Sequence, residues 1–131
     1  TELVDTSVIL PAVGQGALAL VCRKDDDRFR EQLLALDDQP SHEAILAERS
    51  FLRRLRGGCQ VAAGALARIE QAEEQVLHIE GVLASEDGST CLRASRSGPR
   101  SEGNRLGSEL AEELLLEGGE DLIRNPQEPQ Q

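Results

Sequence analysis

"AERSFLRRLRGGCQVAAGALARIE", residues 47–70, is where the chain changes its period. Up to Leu55 the apolar residues recur at helical spacing; past Cys59 they come in short runs bounded by glycine and charge. Gly57 and Gly58 mark the stop, because a residue just past a helix often needs the left-handed conformation that glycine adopts at no steric cost. "QVAAGALARIE" (60–70), "QVLHIEGVLAS" (75–85) and "STCLRASRSG" (89–98) then read as three strands. Leu77, Ile79 and Leu83 alternate in the second, and the "EDGS" at 86–89 suits a hairpin turn.

Helices flank these strands. "KDDDRFREQLLALDD" (24–38) carries Phe29, Leu33 and Leu36 at helical spacing, with acidic residues at its positive end. In "HEAILAERSFLRRL" (42–55), Ser41 is the expected N-cap and Ala44, Ile45, Phe51, Leu52 and Leu55 the apolar stripe. Glu48 falls on that stripe and needs a partner. "SGPRSEGN" (97–104) reads as a loop. "RLGSELAEELLLEGGEDLI" (105–123) reads as a third helix with Leu106, Leu110, Leu114 and Ile123 near one face, interrupted at Gly118 and Gly119. The order predicts an α+β fold: a small antiparallel three-stranded sheet packed against about three helices.

Residues 1–22 stand apart. The apolar runs at 8–10 and 17–21 are broken by Pro11 and by Gly14-Gln15-Gly16, so they read as extended segments joined by a turn. Runs without polar alternation call for a neighbour on each side. The expected division is a segment 1–22 that completes a preceding domain and is disordered or mispaired without it, a domain over 23–125, and a flexible tail over 126–131. With no methionine anywhere, the 131-residue chain is expected to be part of a longer protein.

Composition narrows the function. The net charge of −10 disfavours a polyanion as partner, and two phenylalanines with no Tyr or Trp leave no stacking platform for single-stranded nucleic acid. No apolar run approaches the roughly 20 residues that cross a bilayer. Three widely spaced cysteines (Cys22, Cys59, Cys91), without a CxxC pair, suggest no metal site and fit a reducing cytoplasm. His42, in the first turn of a helix, and His78, on a sheet face, lack the motif of a cysteine protease.

Cys59 admits two readings. It can be an inert, buried thiol at a helix–strand turn, Arg53, Arg54 and Arg56 forming a solvated face. Alternatively it is a reactive thiol: the arginines offset the unfavourable helix carboxyl end, and the glycines let a flat group approach the backbone beside the sulfur. Cys22 and Cys91, in strand-like runs, read as structural. Gln15 reads as a turn residue satisfying backbone groups.

"LPAVGQGALAL" (10–20), "AERSFLRRLRGGCQV" (47–61) and "LGSELAEELL" (106–115), in this order and spacing, closely resemble the end of the porphobilinogen deaminase (hydroxymethylbilane synthase) family. The resemblance runs from about residue 8 to Ile123. It implies a transferase that joins four porphobilinogen molecules into hydroxymethylbilane with release of ammonia, on a dipyrromethane primer held as a thioether by the GGC cysteine, here Cys59. The cofactor-binding residues it implies are Cys59, Gly57, Gly58 and Gln15. A soft thiolate suits a single C–S bond formation to the electrophile left when porphobilinogen loses ammonia, which makes Cys59 an anchor rather than a turnover catalyst. The family's catalytic aspartate and most of its carboxylate-binding cations belong to the preceding domains, so no catalytic residue falls in this piece. The isolated piece is expected to be inactive with a free Cys59 thiol, and the whole enzyme a monomer. Ala62 stands where the family usually has proline, which frees φ and adds an N–H donor. The competing reading is a noncatalytic α+β interaction or regulatory module with Cys59 in its core.

Overall fold

The computed structural model describes residues 2–55, 62–70 and 75–124. Its centre is a sheet of three antiparallel strands in the order β1 (Ala62–Ile69), β2 (Val76–Ala84), β3 (Cys91–Pro99). The register sets Ala65 opposite Gly81 and Ala67 opposite Ile79, and on the other side Leu83 opposite Leu92. Period-two alternation puts Leu77, Ile79 and Leu83 on the covered face, all essentially inaccessible. The α+β architecture expected from the pattern is therefore the observed one.

Two helices supply the second layer. α2 (Gln39–Arg54) lies over β1, and α3 (Gly103–Leu114) packs on β3 and β2 as well as along α2. Phe51, Leu110 and Leu114 from the helices meet Leu77, Ile79 and Leu83 from the sheet in one aliphatic core. α1 (Asp27–Leu34) buries none of its residues; Phe29, Leu34 and Leu36 are exposed. Its amphipathic spacing formed a helix without a surface to cover it among the described residues.

Helix ends follow local chemistry. α2 begins earlier than Ser41: Asp38 is the N-cap, its carboxylate accepting the Ser41 N–H at 3.0 Å. Pro40 is tolerated there because the first-turn N–H it lacks has no helical acceptor. Beyond α3 the chain makes a single wide turn over Leu115–Gly119, with Gly118 at φ 117°, before α4 (Glu120–Arg124). The expected glycine interruption thus falls at Gly118. The segment read as a loop between β3 and α3 contains one 3₁₀ turn, Arg100–Glu102. Gly57, Gly58 and Cys59, and the polar tail beyond 124, lie outside the described residues.

The β2–β3 hairpin closes around Asp87. Its Oδ1 accepts the Ser85 hydroxyl (2.7 Å), the Ser89 hydroxyl (2.8 Å) and the Ser89 N–H (3.0 Å). These donors, Ser85 first, lower the Asp87 pKa from 3.8 to about 2. Because the folded value is depressed, the turn's contribution is complete above pH 3.8 and is lost as pH falls through about 2. A carboxyl-carbon NMR titration of Asp87 should have its midpoint near 2; one at 3.8 would show that the three hydrogen bonds do not form in solution.

Candidate functional site

The candidate site residues come from two stretches far apart in sequence; the first is fixed to α2 by Glu48, which also bonds to β1. Residues 13–16 form a turn with Gly14 at φ 72° and Gly16 at φ 84°. Gln15 sits in it, exposed, with its N–H donating to the Ala12 carbonyl (3.0 Å) and its Oε1 accepting the Ala12 N–H (3.1 Å). Those two bonds are the work of a turn residue satisfying its own backbone. With the side-chain oxygen so held, the NH₂ end is what Gln15 can offer a ligand.

The turn is fixed to the domain body by Glu48. This residue is 3 % exposed on α2, and its partner, open from the sequence alone, proves to be double: Gly14 N–H to Oε2 at 2.7 Å and Ala67 N–H to Oε1 at 2.8 Å. The preceding residues are tied down too. The Pro11 carbonyl accepts the Ala65 N–H (3.1 Å), and Leu10 is buried. Arg93 on β3 donates to the Ser7 and Thr6 carbonyls (2.5 and 2.7 Å) while its Nε holds Glu80 (2.6 Å). The Glu80 hydrogen bond raises the Arg93 pKa. Nothing in the sequence pattern singles out Arg93, since its acceptors are main-chain oxygens 86 and 87 positions away.

Neither apolar run of the first 22 residues enters the sheet; Val8, Ile9, Leu18, Leu20 and Val21 are exposed. Such runs need neighbours on both faces, which the three strands do not supply.

The second stretch is the connection from α2 to β1, residues 55–62, which contains Gly57, Gly58 and Cys59; these three lie outside the described residues. Its borders are described. Leu55 is buried in the core and Ala62 opens β1. Of the basic residues on α2, Arg54 is paired with Glu112 of α3 (2.8 Å), while Arg49 and Arg53 are exposed. Cys91 is exposed at the start of β3, and Cys22, half-buried, lies outside the strands. His42, in the first turn of α2, pairs with Asp37; His78, on the sheet, sits 2.5 Å from the Ser97 hydroxyl. Among the described residues no group of three His, Cys, Asp or Glu side chains could hold a metal ion, and no helix is long and apolar enough to cross a membrane.

Comparison with known proteins places this geometry in a family. The model of the porphobilinogen deaminase C-terminal domain matches residues 42–116, which takes in α2 from His42 onward, the whole sheet and α3. Curated relatives named porphobilinogen deaminase extend the match over nearly all of the chain. The protein from Thermus thermophilus is 44% identical over 122 residues, covering 93% of this chain and 40% of its own length. Those from Desulforudis audaxviator and Roseiflexus castenholzii are 43% and 46% identical, each covering 94% of this chain and 39% of the relative. The chain thus spans about two-fifths of the length of the curated relatives it matches. It belongs to the porphobilinogen deaminase family, of which residues 42–116 are the C-terminal domain.

Proposed function

We propose that this chain is the cofactor-carrying part of a hydroxymethylbilane synthase, a transferase that polymerises four porphobilinogen molecules into hydroxymethylbilane and releases an ammonia for each. Cys59 anchors a dipyrromethane primer through a thioether, and Gly57, Gly58 and Gln15 lie against it. The single observation that carries the reading is spatial. Through Glu48, the turn bearing Gln15 is bound to both α2 and β1, the two elements that the segment containing Cys59 joins in sequence.

The surroundings fit a flat, carboxylate-bearing group in the donors they offer. Gln15 has an NH₂ to give, and Arg53 is an exposed cation in the last turn of α2. When bound, the group would supply the free pyrrole α-carbon on which the product is extended. The part of this chain is to hold and orient: one covalent bond fixes the primer at Cys59, and backbone beside Gly57 and Gly58 admits its rings. Acid–base and substrate-carboxylate groups belong to the domains that precede residues 1–22 in a complete enzyme. Residues 23–125 form the attachment domain, 1–22 complete the domain before it, and 126–131 are a tail. On this reading the isolated chain is inactive with a free Cys59, and the whole enzyme is a cytoplasmic monomer.

Intact mass spectrometry tests the assignment. The full-length protein should exceed its sequence mass by two linked pyrrole units, and digestion should place the excess on the peptide containing Cys59. The isolated 131-residue chain should show its bare sequence mass. An unmodified Cys59 in active full-length enzyme would refute the anchor.

A further inference from the structure

Residues 17–36 form an arm that leaves the body of the domain and comes back to it. On the outgoing side the chain is held at three places. Arg93 donates to the Thr6 and Ser7 carbonyls, the Pro11 carbonyl accepts the Ala65 N–H of β1, and Glu48 accepts the Gly14 N–H. Gly64 permits this approach, since a Cβ there would fall 2.9 Å from the Pro11 carbonyl oxygen. On the returning side Asp38 caps α2, and Gln39 and His42 of α2 both hold the Asp37 carboxylate. Between these ends Leu18, Leu20, Val21, Phe29, Leu34 and Leu36 are all exposed, Leu18 at 96 %. Past Ala17, no backbone hydrogen bond among the described residues reaches 18–22. Bare main chain carrying apolar side chains at every position is an interior strand without its sheet.

The match to the C-terminal domain begins at residue 42, after the arm. The relatives, by contrast, cover 93–94% of this chain and so run through the arm, and about three-fifths of their length lies outside the chain. The arm is thus a part of the family that its C-terminal domain leaves out. We propose that residues 17–36 are the surface by which this domain docks on the neighbouring domain of the same polypeptide. The run 17–21 adds a strand to that domain's sheet, and the apolar face of α1, with Phe29 and Leu33, packs beside it. A neighbour joined through the first residues of the chain is present at a high effective concentration, which a second copy is not. The proposal rests on the part of the foregoing reading that sets domains before residue 1, and not on the cofactor. It also refines the division of 1–22: residues 5–16 are held by this domain, and what reaches outward begins at 17 and takes in α1.

Hydrogen exchange on the full-length protein and on the 131-residue chain tests this. The amides of Leu18, Leu20 and Val21 should exchange about a hundredfold or more slowly in the full-length protein, with Ile79 and Leu83 protected in both. Leu20→Asp should undo the protection at 18–21 in the full-length protein, because a carboxylate in an apolar interface is desolvated without a partner. In the 131-residue chain the same variant should melt with the parent, since the side chain is in water there. Fast exchange at 18–21 in the full-length parent, or protection that survives Leu20→Asp, would overturn the proposal. So would protection already present in the 131-residue chain, whether it persists on dilution, as for an arm folded on its own domain, or fades, as for a second copy. An arm protected only in a full-length protein whose Cys59 carries no adduct would leave the docking standing and remove the cofactor assignment. Adduct on Cys59 with an unprotected arm would do the reverse.

Discussion

Gly107→Ala is expected to cost about 3 kcal/mol or more, a large share of the roughly 5–15 kcal/mol that holds an ordinary domain folded. Two effects oppose each other. Alanine is the better helix former by about 1 kcal/mol in a helix interior. Against this, a Cβ at Gly107 would sit 2.2 Å from the Ala47 carbonyl oxygen and 3.1 Å from the Phe51 nitrogen. Both are backbone atoms of α2, so no rotamer change relieves the overlap. The helices must move apart, and Phe51, Leu110, Ala111 and Leu114, all fully buried, would lose their fit together. The Ser50 hydroxyl bond to the Asn104 carbonyl (2.8 Å), which spans the same seam, would stretch with them. Clash therefore outweighs propensity. Thermal unfolding should shift down on the order of 10 °C or more. Truncating Ala47 to glycine should not rescue it, because the atom struck is the carbonyl and not the side chain. A melting temperature at or above that of the parent would refute the close approach of α2 and α3.

That seam shows what could and could not be read from residue order. The helical stripe before Leu55 and the alternation of Leu77, Ile79 and Leu83 are periodic, so they identify their elements and their inner faces without a structure. Gly103, Gly107 and Ala111 form a row of small residues on α3 that lets α2 come close, but spacing alone does not say which helix will use such a row. Capping was partly legible. Asp38 and Ser41 both suit an N-cap, and the choice turned on Pro40, which can occupy the first turn as readily as precede it. Glu48 was recognisable as an anomaly, an acid on an apolar face. Its partners were not, since they are main-chain N–H groups that any residue except proline carries. The proposed site rests on a different kind of signal: Cys59 and its glycines form a motif in the sequence, whereas the geometry around Gln15 depends on a contact 34 residues away.

Cys59→Ser in the full-length enzyme is expected to abolish both the adduct and turnover, leaving the rate at the assay background. The change is nearly isosteric, so folding should be preserved and the melting temperature should stay close to that of the parent. Chemistry makes the difference. A thiol of pKa about 8.5 presents a few per cent of nucleophilic thiolate at neutral pH. An alcohol ionises more nearly like water, with its pKa of about 15.7, so the serine anion is rarer by on the order of ten-millionfold. The primer would therefore not be anchored, and with no anchored chain to extend, porphobilinogen would go unused. Cys22→Ser and Cys91→Ser serve as controls and should retain adduct and activity. Turnover above background in both Cys59→Ser and Cys59→Ala would mean that the growing chain is held elsewhere, and that the sulfur at residue 59 is a passenger of the fold.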